Sequence, residues 1–284
     1  MSNHPVTFGI VTGQHHLTWE QVRQQWQLAE ELKFESLYLF DHFTGLYDSV
    51  DGPCLEASTL LAGLALETKN AGIGVMVYGN THRHPAMLAK EIVTIDHLSN
   101  GRAILGIGAG WNENEHRWYG WDLPTPGKRV AMFDEAMTVI DGLMTQDRFS
   151  FEGEYYTIDD APFQPKPVQG KIPVLIGGKK PKMLRVVAKH ADLWDGGGRG
   201  EERLPRIEEL KRACDEVGRN YDDIIHSQGF GASGLLDTDN LDELITTHLE
   251  LGVRHFHFDM PLTAEEHEQV REVATTILPK YRTP

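Results

Sequence analysis

"GIGVMVYG" (72–79) and "RAILGIGAG" (102–110) decide the fold, together with the segment "AMLAKEIVTIDHLS" (86–99) that separates them. The separating segment has apolar residues at helical spacing, whereas the two flanking runs are almost continuously apolar. Continuous apolar runs indicate strands that are buried on both faces, as in a parallel sheet covered by helices. The stretch therefore predicts a strand–helix–strand unit of an α/β protein.

The same pattern recurs along the whole chain. Strand-like runs occur at 6–13, 36–42, 72–79, 102–110, 172–178, 192–198, 223–232 and 255–260, and a helical pattern follows each of them. Eight strand–helix units in 284 residues predict a single (β/α)8 barrel of the TIM type over residues 1–284. A doubly wound open sheet remains the alternative, because periodicity alone does not show that a sheet closes.

One segment interrupts this rhythm before the fifth predicted strand. "FSFEGEYYTIDDAPFQPKPVQGKIP" (149–173) alternates in polarity, is rich in aromatic residues, and then becomes rich in proline. These features predict an inserted hairpin followed by an extended loop.

Charge and cysteine content limit the function classes. The formal net charge is −15, which argues against nucleic acid or an anionic membrane as a partner and leaves a small molecule. Cys54 and Cys214 are the only cysteines, so neither a disulfide framework nor a cysteine zinc site is expected. The start of the chain does not resemble a signal peptide, and we expect a cytoplasmic protein.

A barrel would place its functional residues at the carboxyl ends of its strands. The side chain there that is best suited to proton transfer is His42, because the unperturbed pKa of histidine is about 6.5. Asp41 is the candidate for fixing its tautomer, although adjacent residues on a strand point in opposite directions. The alternative is that His42 only caps its strand.

"IGGKKPKMLR" (176–185) indicates an anion site. Gly177 and Gly178 end a predicted strand, and a helix is expected to begin near Pro181. Cations at a helix N-terminus oppose the helix dipole, and a bound anion would reverse that cost. We therefore interpret the segment as a phosphate site, with a solvated basic helix start as the alternative; its cations are Lys179, Lys180, Lys182 and Arg185.

Glycines alternate in "GIGAGWNENEH" (106–116), at Gly106, Gly108 and Gly110. Their spacing does not match a dinucleotide fingerprint. Small residues on one strand face suit a flat ring lying against the backbone, with Trp111 and Asn112 as walls. Tight packing of the barrel explains the glycines equally well.

Paired histidines occur in "THRHP" (81–85) and "HFHFD" (255–259) and have the spacing of metal ligands. Barrel hydrolases that bind metal normally place such a pair on the first strand, which here has none. We interpret these histidines as polar residues of loops and strand ends and expect no metal.

Three segments carry a resemblance to a known family. They are "YLFDHF" (38–43), the block "GIGVMVYGNTHRHPAMLAKEIVTIDHLSNGRAILGIGAGWNENEH" (72–116), and "PVLIGG" (173–178) with "AKHADLWDGG" (188–197). In these segments the sequence resembles the bacterial luciferase-like superfamily, and within it the deazaflavin oxidoreductases that use coenzyme F420. The resemblance implies a (β/α)8 barrel with an insertion after the fourth helix, in agreement with the pattern.

The resemblance also implies roles for individual residues. Asp41 and His42 would border the cofactor ring as catalytic residues, and His42 would exchange a proton with the substrate. A non-proline cis peptide bond would join Met76 and Val77 against the ring. The implied cofactor-binding residues are Met76, Val77, Asn80, Gly110, Trp111, Asn112, Gly177, Gly178, Lys179 and Trp194.

Two cofactors fit such a scaffold, and the Asp41–His42 pair together with "GAGWNENEH" (108–116) favours F420 over FMN. With F420 the protein would be an oxidoreductase that transfers a hydride, and with FMN it would be a luciferase-like monooxygenase. A cofactor-free homologue with a binding role is a third possibility. The resemblance makes a homodimer plausible. Residues expected to line or cover the mouth are Trp19, Phe43, Tyr47, Trp111, Trp118 and the segment 149–168.

Overall fold

The computed structural model describes residues 4–46 and 49–282, and its parallel strands close into a barrel. The strands are β1 (Thr7–Val11), β2 (Ser36–Leu39), β3 (Gly72–Val75), β4 (Tyr78–Gly79), β5 (Ala103–Gly108), β6 (Arg148–Glu152), β7 (Thr157–Pro162), β8 (Val174–Gly177), β9 (Leu193–Asp195), β10 (Ile225–Phe230) and β11 (Val253–Asp259). Their order is β3-β2-β1-β11-β10-β9-β8-β5-β4, and a further pairing of β3 with β5 closes the ring. The predicted (β/α)8 barrel is confirmed, and the open-sheet alternative is wrong.

Helices cover the outside of the barrel. They are α1 (Trp19–Glu31), α2 (Ala57–Glu67), α3 (Pro85–Leu98), α4 (Glu113–Tyr119), α5 (Pro126–Thr145), α6 (Pro181–His190), α7 (Leu204–Val217), α8 (Ala232–Leu236), α9 (Thr238–Glu250) and α10 (Ala264–Thr276). Side chains cap several N-termini, as Thr18 does in a capping box with Gln21 at α1. Among the described helices, none is long and apolar enough to cross a membrane.

The third barrel strand is divided into β3 and β4. The sequence predicts one strand over 72–79, but the Met76–Val77 peptide bond is cis and separates the two pieces. This is the bond that the family resemblance implies. Glycines allow the neighbouring strand to approach closely, since a Cβ at Gly106 would lie 2.0 Å from the Val75 carbonyl oxygen.

The predicted insertion before the fifth barrel strand is present. β6 and β7 form an antiparallel hairpin, and an extended loop leads from it to β8. Phe149 anchors the hairpin on α5, where a Cβ at Gly142 would lie 2.1 Å from the Phe149 ring. The insertion therefore packs on the side of the barrel.

The hydrophobic core has two parts. The larger part lies between the strands and the surrounding helices, and the smaller part fills the barrel interior with Val11, Tyr38, Leu175 and Leu193. This smaller cluster also contacts Phe40, Met76 and Val77, which are only partly buried. The apolar filling therefore ends below the carboxyl ends of the strands and leaves a cavity there.

Candidate active site

A cavity of about 580 Å³ lies at the carboxyl ends of β2, β4, β5 and β8, where the starts of α5 and α6 also reach it. This is the mouth that the barrel prediction required. The predicted site residues that line it are Asp41, His42, Met76, Val77, Gly110, Trp111, Asn112, Gly177, Gly178 and Lys179. Sequence positions more than 130 residues apart, such as His42 and Lys179, thus meet in one cavity.

His42 is held by a carboxylate that sequence reasoning did not identify. The distance from His42 Nδ1 to Glu115 Oε2 is 2.8 Å, and the Glu115 side chain is fully buried. Because a carboxylate only accepts hydrogen bonds, Nδ1 is the nitrogen that carries the hydrogen in the singly protonated form of the His42 ring. The other nitrogen, Nε2, then has a lone pair free to accept a proton.

Several donors keep Glu115 ionised. Burial opposes ionisation, but hydrogen bonds from His42 and from the backbone N–H of Phe43 outweigh it and lower the pKa of the Glu115 carboxyl. The N–H of Thr44 also donates to this carboxylate. His42 therefore lies beside a fixed negative charge, which stabilises the imidazole when it takes up a proton.

Local helix chemistry aims Glu115 at His42. Asn112 caps α4, and its Oδ1 accepts hydrogen bonds from the N–H groups of Asn114 (3.1 Å) and Glu115 (3.3 Å). This cap fixes the first turn of α4, which carries Glu115 toward the end of β2. The Trp111 ring lies 5.6 Å from the His42 ring and is 62% exposed, so it borders the open side of the cavity.

The Asp41 carboxylate forms no hydrogen bond with the His42 ring. The carboxylate accepts hydrogen bonds from Gly79 N (2.8 Å), from His82 Nδ1 (2.9 Å) and from both terminal nitrogens of Arg83 (2.9 Å each). Burial opposes ionisation, but the bonds from His82 and Arg83 lower the pKa of Asp41 to about 2. Asp41 thus ties the end of β2 to β4 and the following loop, and Glu115 occupies the tautomer-fixing position for which Asp41 was the candidate.

Two predicted cofactor-binding residues lie beside the cavity without lining it. Asn80 is buried and donates from Nδ2 to the hydroxyl of Tyr156, 3.3 Å away in the insertion. Trp194 is fully buried and donates from Nε1 to the carbonyl of Gly178 at 2.8 Å. Trp194 therefore supports the glycine turn from outside the cavity.

One wall of the cavity consists mainly of backbone. A Cβ at Gly108 would lie 3.1 Å from Val77 Cγ2, and a Cβ at Gly110, where φ is +83°, would lie 2.2 Å from Thr81 Oγ1. At Gly177 a Cβ would meet only Val77 Cγ2, at 4.0 Å. The glycines therefore leave a shallow surface beside Val77 that suits a flat ring.

The opposite end of the cavity is cationic. α6 begins at Pro181, and no side chain caps its N-terminus. Lys179, Lys180 and Arg129 line this end, and within the described part of the chain none of them forms an ion pair. An uncapped helix start with unpaired cations fits a phosphate group, as the sequence predicted.

The histidine pairs have other partners. His82 donates to Asp41, and His84 caps α3. His255 lies between Ser36 and Ser227, and His257 binds Asp195 at 2.7 Å. Across residues 4–46 and 49–282, no group of three or more histidine, cysteine, aspartate or glutamate side chains is arranged to hold a metal ion.

The aromatic residues expected around the mouth take different places. Trp111 lines the cavity, whereas Phe43 packs against Trp121 with 4.7 Å between ring centroids. Trp19 begins α1 with its ring beside α2, where a Cβ at Gly63 would lie 3.3 Å from it, and Trp118 is exposed on α4. Tyr47 lies outside the described residues.

Comparison with known proteins agrees with this fold. A family model described as luciferase-like monooxygenase matches residues 5–240, which confirms the resemblance to that superfamily. An F420-dependent glucose-6-phosphate dehydrogenase of Microbacterium testaceum is 30% identical over 226 residues, which cover 78% of this chain and 66% of the relative. This chain spans 60–66% of the length of this relative and two others with the same name.

Two solved structures share the fold. An F420-dependent secondary alcohol dehydrogenase in complex with an F420–acetone adduct has a TM-score of 0.86 at 18% identity, covering 99% of this chain and 100% of that one. A long-chain alkane monooxygenase has a TM-score of 0.83 at 17% identity, covering 99% and 93%. The barrel therefore occurs in dehydrogenases and in monooxygenases alike.

Proposed function

The chain belongs to the luciferase-like monooxygenase family, and on this premise we propose that it is an oxidoreductase that uses coenzyme F420. The names of the curated relatives support this choice, since they are F420-dependent glucose-6-phosphate dehydrogenases. The substrate is a small organic molecule that gains or loses a hydride.

The observation that carries the proposal is that His42, which is paired with the buried Glu115, lines the same cavity as a glycine wall and a cationic end. The residues fit the parts of a deazaflavin. Gly108, Gly110 and Val77 would lie against the ring, and Lys179 and the start of α6 would hold the phosphate. When bound, F420 supplies two-electron hydride transfer to or from the substrate.

The protein's own contribution is proton transfer and positioning. His42 Nε2 accepts a proton from the substrate hydroxyl in oxidation, or returns it in reduction. Glu115 keeps the ring in one orientation and stabilises its protonated form through the bond at Nδ1. Asp41, which we now propose as a positioning residue, holds β4 and the Arg83 loop in place behind the cavity.

An assay that separates the two cofactors tests this proposal. The F420-loaded protein is incubated with secondary alcohols and with glucose 6-phosphate, and the absorbance of the deazaflavin is followed. A parallel reaction supplies reduced FMN and measures oxygen consumption. We expect saturable, oxygen-independent reduction of F420 by at least one alcohol or sugar; substrate-dependent oxygen consumption with FMN alone would overturn the proposal.

Three further properties remain proposals. FMN-dependent oxygenation is the second candidate function, because an alkane monooxygenase has the same barrel.

The family resemblance supports a homodimer, and the composition supports a cytoplasmic location. Size-exclusion chromatography with light scattering tests the first of these two, and fractionation of the source cells tests the second.

A further inference from the structure

A second, smaller groove continues from the cationic end of the cavity along α5 and α6. It has a volume of about 320 Å³ and shares Val130 with the main cavity. Gly127, Ala131 and Asp134 form its α5 side, and three cations form its α6 side: Lys182, Arg185 and Lys189. The two cavities therefore adjoin at Val130, near the start of α5.

The cations of this groove lie on one face of α6. Lys182, Arg185 and Lys189 are spaced i, i+3 and i+7, which aligns them along roughly 10 Å of the helix. No acidic residue occurs between Gly178 and Asp192, although the chain as a whole has a net charge of −15. The stripe is therefore a local concentration of positive charge in an acidic protein.

Their present partners are weak competitors for an anion. Arg185 pairs with Glu216 at 3.1 Å, and both side chains are more than half exposed. Lys189 pairs with Asp134 at 2.5 Å, where Asp134 is 32% exposed and also binds His190. Exposed pairs of this kind contribute little. Lys182 lies over Gly127, where a Cβ would be 3.9 Å from its Nζ, and no ion pair is found for it in the described part of the chain.

We propose that this groove binds the anionic tail of the cofactor beyond its phosphate. This inference rests on the proposed use of F420. In that coenzyme a chain of glutamate units follows the phosphodiester, so its carboxylates repeat along an extended tail. Lys179 and Lys180 meet the phosphate, and the cations of α6 meet the carboxylates that follow.

The same arrangement gives a physical reason for selecting F420 over FMN. FMN ends in a single phosphate, which the cationic end of the main cavity accommodates. It has no further anion to place beside Lys182, Arg185 and Lys189. The groove therefore strengthens the binding of F420 and leaves the binding of FMN unchanged.

Three ligands test the proposal by binding alone. They are F420 with its glutamate tail, the phospholactyl form that lacks the tail, and the deazaflavin chromophore that lacks both phosphate and tail. Fluorescence titration gives the dissociation constant of each for the wild-type protein and for the triple variant Lys182→Gln, Arg185→Gln, Lys189→Gln. We expect the wild type to bind tailed F420 about 5- to 20-fold more tightly than the phospholactyl form.

The triple variant should lose this difference and keep the wild-type affinity for the phospholactyl form. The double variant Lys211→Gln, Arg212→Gln is the matched control, because it removes exposed cations from α7 and should keep the difference. Two results would overturn the proposal that the groove binds the tail. One is equal affinity of the wild type for tailed F420 and the phospholactyl form, and the other is a difference in affinity that the triple variant retains. Failure of all three ligands to bind would overturn the use of F420 itself, together with the groove.

Discussion

His42 donates from Nδ1 to Glu115, 2.8 Å away, and forms no hydrogen bond with Asp41, its neighbour in sequence. The two carboxylates therefore have separate tasks. Glu115 orients the imidazole that faces the cavity, and Asp41 joins β2 to β4 through Gly79 and to the loop through Arg83. A substitution at each carboxylate should consequently disturb a different property.

Glu115→Gln should reduce turnover with little effect on cofactor binding. The amide keeps the shape of the side chain but removes the negative charge beside His42, and loss of an orienting partner typically costs about 10- to 100-fold in activity. The measurement compares kcat with the dissociation constant of F420. Glu113→Gln, an exposed carboxylate on the first turn of the same helix, is the control. Unchanged kcat would return Glu115 to a purely structural role.

Asp41→Asn should destabilise the protein. The amide cannot accept hydrogen bonds from Gly79, His82 and Arg83 at once, and breaking a buried ion pair costs roughly 3–5 kcal/mol. Urea unfolding at pH 7 measures the loss, with the exposed Asp159→Asn as the control. Wild-type stability in Asp41→Asn would contradict the assignment of Asp41 as an anchor.

Lys179→Gln with Lys180→Gln should weaken F420 binding by about tenfold, because the two exposed cations and the uncapped helix start act on the same phosphate. The dependence of the dissociation constant on salt should become shallower in this variant. Binding of the chromophore that lacks the phosphate should stay as in the wild type. An unchanged affinity for F420 would mean that the lysines are only solvated.

His226→Phe should make the protein less sensitive to acid. Burial, followed by the charge of Arg203, lowers the pKa of His226 from 6.5 to about 3, so the folded protein keeps the ring neutral. The unfolded chain takes up a proton below pH 6.5, and the contribution of His226 to stability is therefore lost as the pH falls from about 6.5 toward 3. Between pH 7 and pH 5 this linkage amounts to about 2 kcal/mol.

Urea unfolding of His226→Phe at both pH values measures this linkage. The ring of His226 packs edge-on against Trp194 and Tyr221, so a phenyl ring should be tolerated at pH 7 within about 1 kcal/mol. His97→Gln, at an exposed position on α3, should keep the wild-type pH dependence. If the stability of His226→Phe fell between pH 7 and pH 5 as much as that of the wild type, the loss would come from other groups, of which His255 is one.

The barrel was predictable because most of its strands are short apolar runs between turn and helix signals, although β10 ("IHSQGF") and β11 ("VRHFHFD") carry polar residues. A strand that is buried on both faces needs apolar residues at successive positions, whichever helices and strands it packs against. The division of the third strand was not visible in the pattern, since "GIGVMVYG" has the composition of one continuous strand. Only the family resemblance implied the cis bond at Met76.

Site residues were predictable where their place at the carboxyl end of a strand is enough to bring them to the mouth of the barrel. His42 and Gly110 follow buried strands, Gly177 ends one, and all three meet at the mouth as expected. Trp194 lies within β9, where adjacent residues point in opposite directions, and it is Asp195 whose side chain points toward the barrel interior and binds His257. Glu115 was missed because its partner lies 73 residues away and its only local signal is the cap at Asn112.

The use of F420 is tested most directly by a pair of binding titrations on the purified protein, one with coenzyme F420 and one with FMN, under identical salt and pH. We expect saturable binding of F420 with a dissociation constant well below that of FMN, since the groove along α6 interacts with the tail of F420 alone. Tight binding of FMN together with weak or absent binding of F420 would contradict it.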